Sequence, residues 1–183
     1  MKKAKSIFVF ITGIFCVISC KNRTPAEKYS DYIADPSNHI CYKEKVNDAR
    51  IVLKYIPVEQ QKFISKNETS KAVYSDNIYF DMKFSKPGLK KDKSKDLYLD
   101  FDIQNDFQLD INNKLLIPAI CQKIGNGIKD EYEYIIAFDE TPLEFSQATK
   151  ADLIYTDKMF SVGQRKYTFK KQDILKIPKL TDQ

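Results

Sequence analysis

Residues 78–84, Ile78-Tyr79-Phe80-Asp81-Met82-Lys83-Phe84, set an apolar side chain at every second position and place Tyr79, Asp81 and Lys83 between them. Successive side chains of a strand point to opposite faces, so this order describes a strand with one buried and one wet face. The same period recurs in both directions along the chain. Ala49, Ile51, Leu53 and Tyr55 alternate with Arg50, Val52 and Lys54, and Pro57 closes that segment. Leu97, Leu99, Phe101 and Ile103 alternate with Tyr98, Asp100 and Asp102, which predicts another strand, and Phe107, Leu109 and Ile111 continue with Gln108 and Asp110 between them. Further on come 115–122, interrupted by Pro118, then Tyr132, Tyr134, Ile136 and Phe138, then 153–155, 167–169 and 174–175. Turn signals separate them at Asn112-Asn113, Gly125-Asn126-Gly127 and Val162-Gly163-Gln164. Seven to nine short strands with few helical windows predict an all-β fold, an antiparallel sandwich with a short N-terminal helix or linker.

The N-terminus has a different grammar. Lys2, Lys3 and Lys5 precede the apolar run 7–18, and the polar Lys21-Asn22-Arg23 follows at once. A basic segment followed by a short apolar one has the order of a secretory signal, and the run is shorter than the roughly 20 residues a spanning helix needs. At its end, in "CVISCKNRTP" (16–25), Val17-Ile18-Ser19-Cys20 resembles the lipobox of bacterial lipoproteins at all four positions. The resemblance implies cleavage before Cys20, acylation of its thiol with palmitate-type chains, and loss of Cys16 with the signal. Acyl chains contribute about 0.8 kcal/mol per buried methylene, so two or three hold a domain at a membrane. It also implies residence in the bacterial cell envelope, and Lys21-Asn22-Arg23 is unlike an acidic surface-export stretch, which favours the outer membrane facing the periplasm.

Residues 1–19 are thus read as the signal peptide, 20–45 as a lipidated tether with a short helix, and 46–183 as a single sandwich domain. In the tether, Thr24-Pro25-Ala26-Glu27 has the form of a capping box with proline at the first helical position, predicting a helix to about Ala34 that Asp35-Pro36 ends. Tyr29, Tyr32 and Ile33 share one of its faces, to pack on the domain or lie against the membrane. The stretch from Asp96 to Lys170, through its strand rhythm and "EYEYIIAFD" (131–139), resembles immunoglobulin-like sandwich domains of envelope lipoproteins, without the core tryptophan of antibody domains.

Charge adds little once the signal is set aside. The chain has 30 basic and 25 acidic residues; without three signal lysines, 27 remain against 25, a net +2, which withdraws support from nucleic-acid binding. Two local clusters stand out as an interaction surface: Lys86, Lys90, Lys91, Lys93 and Lys95 in one loop, and Arg165, Lys166, Lys170 and Lys171 near the C-terminus. They suit anionic lipid or an acidic partner, and equally the ordinary protection of sheet edges. Cys41 and Cys121 are the cysteines left after processing, either a disulfide closing a loop of about 80 residues or two separate buried thiols.

The chemistry-bearing residues point away from catalysis. Asp96, Asp100, Asp102, Asp106 and Asp110 invite a calcium reading, but an EF-hand counted from Asp100 would need glycine and glutamate where Asn105 and Ile111 stand. Alternation with apolar residues places these aspartates on the wet face of strands. The single histidine, His39, lies in a linker-like stretch, and GxSxG, HExxH, CxxC and phosphate-binding glycine loops do not occur. The expectation is a non-enzymatic protein without cofactor or metal, tethered by acyl chains and acting through protein contacts, as an accessory component of a membrane assembly. The alternative is a solute- or saccharide-binding lipoprotein whose pocket the eleven tyrosines and twelve phenylalanines would line.

Overall fold

In the computed structural model the described residues are 24–61, 77–90 and 92–180. Residues 1–19, read above as a signal peptide, together with Cys20 and Lys91, lie outside them. Among the described residues no helix is long and apolar enough to cross a membrane.

Helix α1 (Pro25–Ala34) forms as its capping box dictates: the Glu27 amide donates to Thr24 Oγ1 at 3.2 Å, and the Thr24 amide donates to Glu27 Oε2 at 2.9 Å. Tyr29 and Ile33 are buried against the sandwich, so the apolar face packs on the domain. Asp35 ends the helix and caps a short 3-10 turn, Pro36–Asn38.

Nine strands follow: β1 (Cys41–Val46), β2 (Ala49–Ile56), β3 (Ile78–Ser85), β4 (Phe107–Ile111), β5 (Lys114–Leu116), β6 (Ile120–Ile124), β7 (Glu131–Phe138), β8 (Lys150–Thr156) and β9 (Gln164–Lys170). They make two antiparallel sheets, β1-β2-β3-β7-β6 and β5-β4-β8-β9, an all-β sandwich with a strand number inside the expected range. The first strand starts at Cys41, five residues ahead of the expected domain start at 46. Asn112 and Asn113 both take positive φ, 52° and 62°, in the tight turn between β4 and β5 that their sequence announced.

The period of two in β3 runs across its sheet. Phe84 sits between Ile51 of β2 and Tyr132 of β7, and Phe80 between Tyr55 and Ile136, so inward residues form continuous rows. The rows meet the second sheet through rings: Phe84 lies 4.9 Å from Tyr155 and stacks on Phe160 at 4.3 Å, while Phe80 lies 5.1 Å from Phe169. Each such aromatic pair contributes about 0.5–1.5 kcal/mol beyond the area it buries. Four tyrosines and six phenylalanines are among the largest fully buried side chains, so much of the aromatic inventory is spent in the core.

Two segments expected as strands are helical. Helix α2 (Lys93–Leu97) starts at Asp92, whose carboxylate accepts the Lys95 amide at 3.0 Å, and continues into a π-turn at Tyr98–Asp102 and a 3-10 turn at Ile103–Asp106. Leu99 and Ile103 are buried while Leu97 and Phe101 are exposed, which is a spacing of four and not of two. The wet strand face assigned to the aspartates dissolves with this correction: Asp96, Asp100 and Asp102 sit on helical turns, Asp106 is buried, and only Asp110 is on a strand. Ile174 belongs to helix α3 (Lys171–Ile174), not to a strand.

The Cys41–Cys121 bridge is excluded by the sheet. β1 and β6 are its opposite edges, four strand spacings of about 4.8 Å apart, whereas a disulfide needs Cα atoms within about 7 Å. Cys41 pairs with Lys54 on the outward-facing row and Cys121 with Ile136 on the inward one, so the thiols also point to opposite faces. Both are free, Cys41 buried and Cys121 half-buried, and burial pushes the Cys121 thiol up to about 12.

Candidate interaction surfaces

The lysine clusters do not form one surface. Lys86 follows the end of β3 where Phe84 meets Tyr155, and Tyr155 pairs with Arg165; Lys170 and Lys171 follow Phe169, which meets Phe80 at the other end. Several of these cations are committed within the fold. Lys86 pairs with Asp48 and is 12 % exposed, Lys95 Nζ donates to the Lys90 carbonyl at 2.9 Å, and Lys171 Nζ donates to the Ser146 carbonyl at 2.6 Å. Lys166 lies 2.9 Å from Asp152 and Arg165 Nε 3.8 Å from Glu44. Lys93 stands on α2 and Lys170 lies directly opposite Lys150, both exposed.

Two buried carboxylates, Asp106 and Asp152, and the half-buried Asp157 serve the fold. Asp106 accepts from Tyr98 Oη and from Lys158 Nζ at 2.7 Å. Asp152 collects Thr168 Oγ1 at 2.6 Å and the ammonium groups of Lys150 and Lys166. Asp157 organises the β8–β9 loop: it accepts the amides of Met159, Phe160 and Val162 at 2.7–2.8 Å and the Tyr155 hydroxyl at 2.8 Å. Burial alone would raise its pKa, but the amide donors outweigh that and hold it below the usual carboxylate range. Among the described residues no group of three or more His, Cys, Asp or Glu side chains is placed to hold a metal ion.

An apolar surface that sequence reading missed lies beside β5 and β6. Seven of the nine exposed large apolar side chains among the described residues fall between Leu97 and Ile128. Ile117 is 78 % exposed, Phe101 65 % and Leu115 61 %, with Ile120 and Ile124 on β6 itself. β5 and β6 are edge strands of the two sheets, joined by three residues, and the turns at 98–106 pack against β6. By register Leu115 points outward from the four-stranded sheet, opposite Asp110, and Ile120 and Ile124 outward from the five-stranded one, so exposed apolar groups flank the two sheet edges on both faces. The run Leu116-Ile117-Pro118-Ala119-Ile120 reads as core by hydropathy, because a linker between two edges looks the same in sequence as a buried strand.

A second feature is a groove of about 570 Å³ on the outer face of the five-stranded sheet, beside α1. Ile33, Ile56, Ile124, Ile135 and Leu180 are among its walls, and Lys54, Asp81 and Glu133 are polar groups in it. Lys54 Nζ lies 3.7 Å from Asp81 Oδ2, and Lys83 Nζ lies 3.2 Å from Glu133 and 3.9 Å from Glu131. Asp81 Oδ1 is buried and has no hydrogen-bond partner among the described residues. Burial pushes the Asp81 carboxyl up, and Lys54 offsets that only in part. No protein-family model, curated protein or solved structure matches the chain.

Proposed function

We propose that this chain is an exported protein of the bacterial cell envelope, held by acyl chains on Cys20 at the outer membrane facing the periplasm. It acts without catalysis, through protein contacts, as an accessory component of a membrane assembly. The observation that carries the contact role is the concentration of exposed apolar side chains on both flanks of the open edges β5 and β6, since exposed large apolar groups beside an unpaired strand edge suit a protein contact and the edge adds backbone donors and acceptors. The lipobox residues Val17-Ile18-Ser19-Cys20 support the anchor. The resemblance to immunoglobulin-like envelope domains belongs to the same reading and draws support from the two facing antiparallel sheets. The saccharide alternative loses its main motive, because the rings it would use fill the core.

Two measurements test this reading separately. Cys20→Ser is expected to move the protein from the membrane pellet to the soluble fraction; unchanged sedimentation refutes the anchor. A photo-crosslinking residue at Ile117 or Ile120 is expected to give a discrete adduct in cells that the same residue at Lys93 or Lys170 does not. Equal adducts from all four positions, or none, refute the surface.

A further inference from the structure

At the end of the sandwich that carries Lys170, two exposed apolar side chains stand among lysines. Phe145, in the loop between β7 and β8, is 62 % exposed, and Leu175, just after α3, is 61 % exposed; both line one hollow. Leu175 also lines a second hollow of about 510 Å³ with Lys150, Lys170 and Lys171, and among the described residues no carboxylate is in its walls. Lys150 and Lys170 stand directly opposite each other on β8 and β9, a placement of like charges that costs a sheet stability. Asp152 is 2 % exposed and divided between Lys150 and Lys166, which leaves Lys170 and Lys171 without a carboxylate among the described residues. The carboxylates of the first hollow are committed within the fold: Glu144 accepts the Tyr55 hydroxyl and the Val58 amide, and Glu59 accepts the Leu180 amide. At the opposite end of the molecule a hollow matches Lys45, Arg50 and Lys129 with Asp48, Asp130 and Glu131.

Lysines alone would suit any anion, but apolar tips between ammonium groups match the layering of a lipid surface, acyl chains under anionic head groups. Lysine stems lie along apolar surface while their charges stay at head-group level. The chain outside the described residues brings that surface within reach. Thr24 follows Cys20 by four residues, at most about 14 Å of extended backbone. Helix α1, which Thr24 caps, is tied to the same end: Tyr29 Oη donates to Gln60 Oε1 at 3.3 Å, and Val58, two residues earlier, donates its amide to Glu144, the neighbour of Phe145. We propose that this end of the sandwich rests on an anionic lipid surface, with Phe145 and Leu175 entering the interface and Lys150, Lys170 and Lys171 meeting its head groups. The reach rests on the Cys20 anchor proposed above; the composition of the end does not.

The chain contains no tryptophan, so Phe145→Trp and Leu175→Trp each introduce a single fluorophore at an exposed position. Ile128→Trp, 55 % exposed in the turn whose Asp130 carbonyl accepts the Lys86 amide, is the control at the opposite end. Each full-length protein is mixed with vesicles of brominated phosphatidylcholine holding about 30 % phosphatidylglycerol, in which bromine quenches tryptophan that enters the acyl region. Phe145→Trp and Leu175→Trp are expected to be quenched at least about threefold more than Ile128→Trp. Adding Lys150→Glu with Lys170→Glu is expected to cut the quenching of Phe145→Trp about fivefold, and vesicles of phosphatidylcholine alone should give as little. All the proteins share one N-terminus, so a failed Cys20 anchor lowers every signal and leaves the ratio between positions. Equal quenching at the three positions, or quenching insensitive to the charge reversal, overturns the proposal. So does an emission shift of Phe145→Trp with soluble polyglutamate as large as with vesicles, which would assign this end to an acidic polypeptide.

Discussion

Asp157 and Asp81 are both carboxylates drawn out of water, and the fold treats them oppositely. Asp157 receives three backbone amides and a tyrosine hydroxyl, enough to satisfy both oxygens and to hold its pKa low. Asp81 has one ammonium group 3.7 Å from one oxygen and, among the described residues, no partner on the other, and its pKa is raised. Charge neutralisation alone does not make a carboxylate comfortable in a fold; hydrogen bonds to every lone-pair region do. The first group is fully satisfied by the scaffold, and the second is held there half-satisfied.

The largest consequence falls on Asp157. Asp157→Ala removes the acceptor of three amides that shape residues 158–163, and with hydrogen bonds to charged groups at about 1.5–3 kcal/mol each, partly offset by water, the expected loss is about 3 kcal/mol. Urea unfolding at neutral pH measures it, and a loss below 1 kcal/mol would break the distinction between the two carboxylates. The pH dependence carries the sign. A depressed folded pKa means that the Asp157 contribution is complete above the unfolded value of about 3.9 and is lost as pH falls through the folded value. Wild type and Asp157→Ala should therefore converge in stability only in strong acid.

The strand faces in this molecule were legible because period two leaves no ambiguity when strands are long: β2, β3 and β7 each run eight residues with apolar groups inward. Leu97, Leu99, Phe101 and Ile103 obey period two as well, but Leu99 and Ile103 are also four apart, and the Asp92 cap begins a helix that the apolar pattern hides. Site legibility was lower for a physical reason. Asp81 reads correctly as a residue of the outer face, but its burial comes from a groove that α1, some fifty residues earlier in the chain, helps to wall. Lysines close in sequence likewise say nothing about which end of a sandwich they occupy, and Lys86 and Lys170 lie at different ends.

A smaller effect of opposite sign is expected at Asp81. With its folded pKa raised, the proton is held more tightly in the folded state, so the cost of the charged form grows as pH rises from about 3.9 through the folded value and then levels off. Asp81→Asn removes that charge. It should raise stability by up to about 1 kcal/mol at neutral pH, within the cost of one unsatisfied acceptor, and give no advantage near pH 3. Thermal unfolding at the two pH values reads this directly. A variant destabilised at neutral pH would mean that the pair with Lys54 dominates over desolvation.

The smallest expected effect separates those two terms. Lys54 is 38 % exposed and its ammonium is 3.7 Å from Asp81, the geometry of a solvent-screened pair worth about 0.2–1 kcal/mol. Lys54→Gln should therefore cost under 1 kcal/mol at neutral pH, yet move the Asp81 carboxyl further up, because the cation that offsets its burial is gone. Carbon-detected NMR titration of the Asp81 carboxyl measures the second quantity independently of stability. In the double variant Lys54→Gln with Asp81→Asn the stability cost should vanish, since Lys54 contributes through Asp81. A cost that persists in the double variant would place the contribution of Lys54 in packing along its methylene stem, and Asp81 would then be a carboxylate held by burial alone.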